Sequence, residues 1–121
     1  MLIALWIINI ILALVMLGAG GMKLAKSKDA YVAGGMGWAE NVSSTNIKLI
    51  GLAEVVGAVG LILPLALDIA AILTPIAAVC LAIIMLGAVF THLRRKEGVT
   101  VQLVLVLLAA ASAVIGFIHL A

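Results

Sequence analysis

The chain is poor in the side chains on which most chemistry depends. It has one cysteine, two histidines, two prolines and only five aromatic residues (two Phe, two Trp and one Tyr), and 10% of its residues are charged. Each scarcity excludes something. A lone cysteine, Cys80, forms no intrachain disulfide and no Cys-x-x-Cys dithiol, so redox exchange of that kind is excluded and a packing role is expected of it. His92 and His119 fall at opposite ends of apolar segments, and neither has a carboxylate at ligand spacing. No metal site is therefore expected, and paired histidines for haem are absent. No basic run is interleaved with aromatics, which rejects nucleic-acid binding. Serine-hydrolase, phosphate-loop and zinc-hydrolase patterns are also missing, so no residue is assigned a catalytic role.

Apolar side chains are what the sequence has in abundance. They make up 67% of its 121 residues, and the mean hydropathy is +1.44. Soluble domains do not reach such values, so an integral membrane protein follows. Because a helix needs ~20 mostly apolar residues to span, this length holds four spans with short connections and no soluble domain. A single membrane domain over residues 1–121 is expected, with spans at about 2–22, 47–65, 69–91 and 99–120 and an interfacial connection at 23–46. The fold class is all-α, an antiparallel bundle of four transmembrane helices.

Details along the chain support this division. The first run carries glycines at 18, 20 and 21, and Ala19, Gly20 and Gly21 could pass for a signal-peptide cleavage region. No lysine or arginine precedes the run, however, and its length exceeds the ~7–15 residues of a signal core, so a first span is the better reading. Its glycines lack the preceding strand of a nucleotide loop and are read as close helix packing. Tyr31, Trp38 and Glu40 in the first connection favour a surface cap at the headgroup layer. Ser43, Ser44, Thr45 and Asn46 are N-cap candidates for the second span. The sequon Asn41-Val42-Ser43 is a chance match. Pro64 is expected to end or kink the second span, and Pro75 to be tolerated early in the third.

Charge placement gives an orientation. All seven lysines and arginines, Lys23, Lys26, Lys28, Lys48, Arg94, Arg95 and Lys96, fall at the first and third connections. By the positive-inside rule, connections 23–46 and 92–98 are cytoplasmic and both termini lie outside.

One carboxylate stands out. Glu54 lies about two turns inside the second span, between Gly51 on one side and Gly57, Gly60 and Pro64 on the other. A carboxylate at a helix centre costs ~2.5–3.5 kcal/mol on insertion scales, and less nearer the interface. Gly51, Gly57 and Gly60, the expected packing positions together with Pro64, let neighbouring helices close over it. Either Glu54 is a buried acid in a site or proton path, or it is a structural acid paired with a cation on the next helix. Small-residue spacings in Ala53 with Gly57, Ala78 with Ala82, Ala109 with Ala113 and Ser112 with Gly116 point to further packing faces.

An up-down bundle would bring Lys23, Glu54, Thr91, His92 and Gln102 to one depth. Lys23, Glu54, His92 and Gln102 are accordingly the candidates for a ligand site or proton path. Such a set could hold an anionic head group, bind a quinone carbonyl or relay a proton, since imidazole exchanges protons near neutral pH. Flanking cations at helix ends are the plainer reading of Lys23 and His92. On the opposite side Asn9, Asp68 and His119 form only a sparse polar set.

The run Gly20-Gly21-Met22-Lys23-Leu24, the glycine-rich connection after it, Gly51-Leu52-Ala53-Glu54, Gly57-Ala58-Val59-Gly60-Leu61 with Pro64, and Met85-Leu86-Gly87-Ala88-Val89-Phe90-Thr91-His92 together resemble the DoxX-like family of small four-helix membrane proteins. The resemblance covers nearly the whole chain. It implies a multi-pass protein of a bacterial cytoplasmic membrane, associated with membrane redox complexes. No catalytic role transfers with it onto Lys23, Glu54 or His92. The leading expectation is an accessory subunit of a membrane complex, redox-linked through a quinone-accessible pocket and not catalytic on its own. Its partners would be the bilayer and other membrane subunits or further copies of the chain. The alternatives are a stand-alone binder or carrier of a small hydrophobic or anionic ligand, and an assembly factor for other membrane proteins.

Overall fold

The computed structural model describes residues 2–25, 27, 29, 33, 43–96 and 98–120. Among them are four helices and no strand: α1 (Leu2–Ala25), α2 (Ser44–Leu67), α3 (Leu73–Arg94) and α4 (Thr100–Leu120). At ~1.5 Å of rise per residue, helices of 21 to 24 residues match or slightly exceed the ~30 Å of a hydrocarbon layer. All four are long and apolar enough to cross a membrane. Helix α1 continues past the expected end of the first span, to Ala25, into the connection expected at 23–46. Its Tyr31, Trp38 and Glu40 lie outside the described residues.

Three local features set the helix ends. Ser43 starts α2: its extended backbone lets the side-chain hydroxyl accept the Asn46 backbone N–H at 3.1 Å, which satisfies one of the helix's orphan donors. Of the two effects expected of Pro64, an end or a kink, it does not end α2. The helix continues to Leu67 and stops where Asp68 turns left-handed, at φ 53°. Ala70 is left-handed too, at φ 48°, so the third helix cannot begin at 69 and starts instead at Leu73. Pro75 then falls in its first turn, where a missing N–H removes no helical bond.

Residue contacts show an up-down-up-down ring. Gly20 meets Gly51 while Asn9 meets Leu61, so α2 descends as α1 climbs. Gly57 meets Leu81 and Gly60 meets Ala77, which sets α3 against α2 in the same antiparallel sense. Gly116 against Pro75 and Gln102 against His92 do likewise for α3 and α4. Helix α4 also packs on α1 and closes the ring. Leu12, Met16, Ala58, Leu61, Ala78, Leu81, Leu105 and Ala109 fill its centre. Outward-facing side chains are apolar as well, Ile3, Leu14, Phe90 and Leu107 among them, as expected of a bundle whose solvent is lipid.

The small residues divide sharply. A Cβ on Gly20 would lie 2.6 Å from the Gly51 carbonyl oxygen, and one on Gly51 would lie 2.7 Å from the Lys23 Cβ. This is a crossing of two backbones, closer than any side chain allows. Gly57 receives the Leu81 side chain and Gly60 receives Ala77. Gly18 and Gly21 have nothing within 4 Å of such a Cβ, so packing accounts for only the middle one of the three glycines. Ala53 and Cys80 are exposed, which corrects the packing role expected of each. Both stand on outward faces, whereas Ala78, Ala109, Ala113 and Ser112 point inward.

Candidate functional site

The Gly20–Gly51 crossing determines what happens one turn further along. With α1 lying against Gly51, Glu54 and Val55, Lys23 reaches Glu54 from the next turn of α1, its Nζ 2.8 Å from Oε1. Glu54 is fully buried, and 15% of the Lys23 side chain remains exposed. Lys48, from the first turns of α2, donates to the Leu24 carbonyl at 2.6 Å. It thereby supplies a cation and a donor to the last carbonyls of α1. Lys23 is thus a cation on the neighbouring helix that pairs with Glu54.

His92 has a different partner. Across the α3–α4 turn its Nε2 lies 3.3 Å from Gln102 Nε2, a distance compatible with Gln102 donating to an unprotonated ring nitrogen. Thr91 donates back to the Gly87 carbonyl at 3.0 Å.

These two polar pairs border one partly enclosed cavity of about 570 Å³ between the helices. Lys23 and Glu54 contribute from α1 and α2, and Thr91, His92 and Gln102 from α3 and α4. Between them the wall is apolar, with Met16, Ile84, Met85 and Leu105 among its side chains. A volume in the range of small-molecule sites, an apolar wall and a few converging polar groups are the marks of a ligand pocket. Glu54 adds a further one. Lys23 approaches Oε1 as a charge, but neither carboxylate oxygen has a well-formed hydrogen bond among the described residues. Buried polar atoms are seldom left so.

The opposite end of the bundle is arranged differently. Asn9 does not share a site with Asp68 and His119, both of which are exposed. It is fully buried, donating from Nδ2 to the Leu61 carbonyl at 3.0 Å and accepting from the Ser112 hydroxyl. This ties α1 to α2 and α4 in the core. In sequence Ser112 stands out only by its spacing to Gly116. Its pairing with Asn9 could have been anticipated from the two polar residues each lying inside an apolar run. Among the described residues no cluster of His, Cys, Asp and Glu could hold a metal ion.

Four spanning-length apolar helices closed around a polar-ended cavity define a small multi-pass membrane bundle. The chain belongs to the DoxX-like family, whose model matches residues 7–114. No curated protein and no solved structure matches it.

Proposed function

We propose that this protein binds a small amphiphilic molecule within the membrane, its polar head held between the Lys23–Glu54 and His92–Gln102 pairs and its apolar body against Met16, Met85 and Leu105. The observation that supports this reading is the cavity itself. Five polar side chains drawn from four helices border one apolar space, and interfacial cations at helix ends would not require that convergence. A quinone in its reduced, quinol form fits this description by shape and polarity, with a hydroxyl to offer to Glu54. The reading assigns the chain a binding or accessory role, with the cavity as its working part.

The accessory-subunit reading places the same cavity within a larger redox-linked membrane complex. The two differ in what travels with the protein. We read the end bearing Lys23, Lys48, Arg94, Arg95 and Lys96 as the cytoplasmic side of a bacterial cytoplasmic membrane, by the positive-inside rule.

Purification from native membranes in mild detergent, with mass spectrometry of every bound protein and small molecule, tests the proposal. A stoichiometric small molecule, depleted by Ala88→Phe at the cavity wall, is the expected result. A stoichiometric redox enzyme would favour the subunit reading. A chain that carries neither, and binds no added amphiphile, would overturn both.

A further inference from the structure

Resting on the binding reading above, the state of Glu54 specifies the ligand's head group. Glu54 is fully buried and borders the cavity. Its Oε1 faces the Lys23 ammonium at 2.8 Å, while Oε2 has no hydrogen-bond partner among the described residues. The other wall offers the Gln102 amide, held against His92, and the Thr91 hydroxyl, whose proton goes to the Gly87 carbonyl. We infer that the cavity selects a neutral head that donates a hydrogen bond to Glu54, such as a phenol or an alcohol, and rejects an anionic head.

The charge balance carries this argument. Lys23 and Glu54 already neutralise each other, so an incoming carboxylate or phosphate would bring an uncompensated negative charge beside Oε2 in a poorly solvated space. Burying a charge without a partner is strongly unfavourable. An alkylammonium head would add a second cation to a carboxylate that already has one. A neutral hydroxyl alone satisfies the orphan oxygen and leaves the pair balanced. An ether of the same shape fills the volume and leaves Oε2 unsatisfied, which is the situation a buried acceptor tolerates least. This narrows the earlier expectation of a hydrophobic or anionic ligand to its neutral branch.

The test uses the full chain in detergent and four probes that share one alkyl tail: 4-hexylphenol, 4-hexylanisole, 4-hexylbenzoate and 4-hexylbenzylamine. Each is titrated at neutral pH by calorimetry against matched protein-free micelles. The phenol is expected to bind at least ~10-fold more tightly than the methyl ether, the size of one hydrogen bond to a charged acceptor, and the benzoate to bind weakest. Glu54→Gln should erase the phenol's advantage over the ether and improve the benzoate's standing relative to the phenol. Equal binding of phenol and ether, or tighter binding of the benzoate, by the unaltered protein would overturn the inference while leaving the cavity as a binding site. Binding of none of the four would count against the binding reading itself. The comparison among probes needs no variant, so it stands even if Glu54→Gln fails to fold.

Discussion

Lys23 and Glu54 form the most consequential pair in the molecule at the scale of single residues. A buried ion pair is weak evidence of stabilisation, but removing one partner strands the other. Lys23→Met should therefore destabilise the bundle by about 3 kcal/mol or more, while Lys23→Met combined with Glu54→Met should recover most of that loss. Reversible unfolding in mixed micelles would check both. If the single and double variants were equally unstable, the ion pair would not be the source of the loss. Asn9 contributes differently, through neutral hydrogen bonds to Leu61 and Ser112. Polar contacts between membrane helices average ~0.6 kcal/mol and reach ~1.7. Asn9→Ala and Ser112→Ala should each cost about 1 kcal/mol, and a double-mutant cycle should show that the two losses overlap.

Between elements, the α1–α2 junction depends on the Gly20–Gly51 crossing. Any side chain at either position meets backbone at under 3 Å, so Gly20→Val or Gly51→Val must push the helices apart. Overpacking of this kind costs about 1–3 kcal/mol, and here it should also withdraw Lys23 from Glu54. Gly18→Ala and Gly21→Ala, with open space at both sites, should leave the thermal midpoint unchanged. Much of this scale was legible in the sequence. The apolar runs, the glycine spacing around Glu54 and the hydroxyl residues before the second span reflect helix physics that acts locally. What was not legible depended on rotation about a helix axis. Glycines 18, 20 and 21 look alike in sequence, yet only Gly20 faces α2. Likewise Cys80 and Ala53 differ from Ala78 only by which way their face turns. The start of α3 is not legible for another reason, because left-handed backbone at Asp68 and Ala70 has no clear signature where neither residue is glycine.

For the molecule as a whole, charge and cavity lie at the same end. Lys23, Lys48, Arg94, Arg95 and Lys96 gather where α1 and α3 finish and α2 begins, and the cavity's polar residues stand just inside that end. Under the proposed orientation, alkaline phosphatase fused after Ala121 should be active in a bacterial host, whereas a fusion in the loop after Arg95 should not. The polar set at this end could be foreseen because up-down topology alone brings those helix ends together. The cavity between them could not, since a space is a property of packing and not of any residue.

The claim at the centre of this account is that a small molecule occupies that space, and a photoactivatable 4-alkylphenol offers the most direct measurement. Purified protein would be irradiated with the probe, with and without excess unlabelled phenol, and the modified residues mapped by mass spectrometry. Labelling of Met16, Met85 and Leu105, suppressed by the competitor, is what the cavity predicts. Labelling confined to the outward Leu14, Phe90 and Leu107, and indifferent to competitor, would mean that the probe sees only lipid-facing surface and that the cavity is not a binding site.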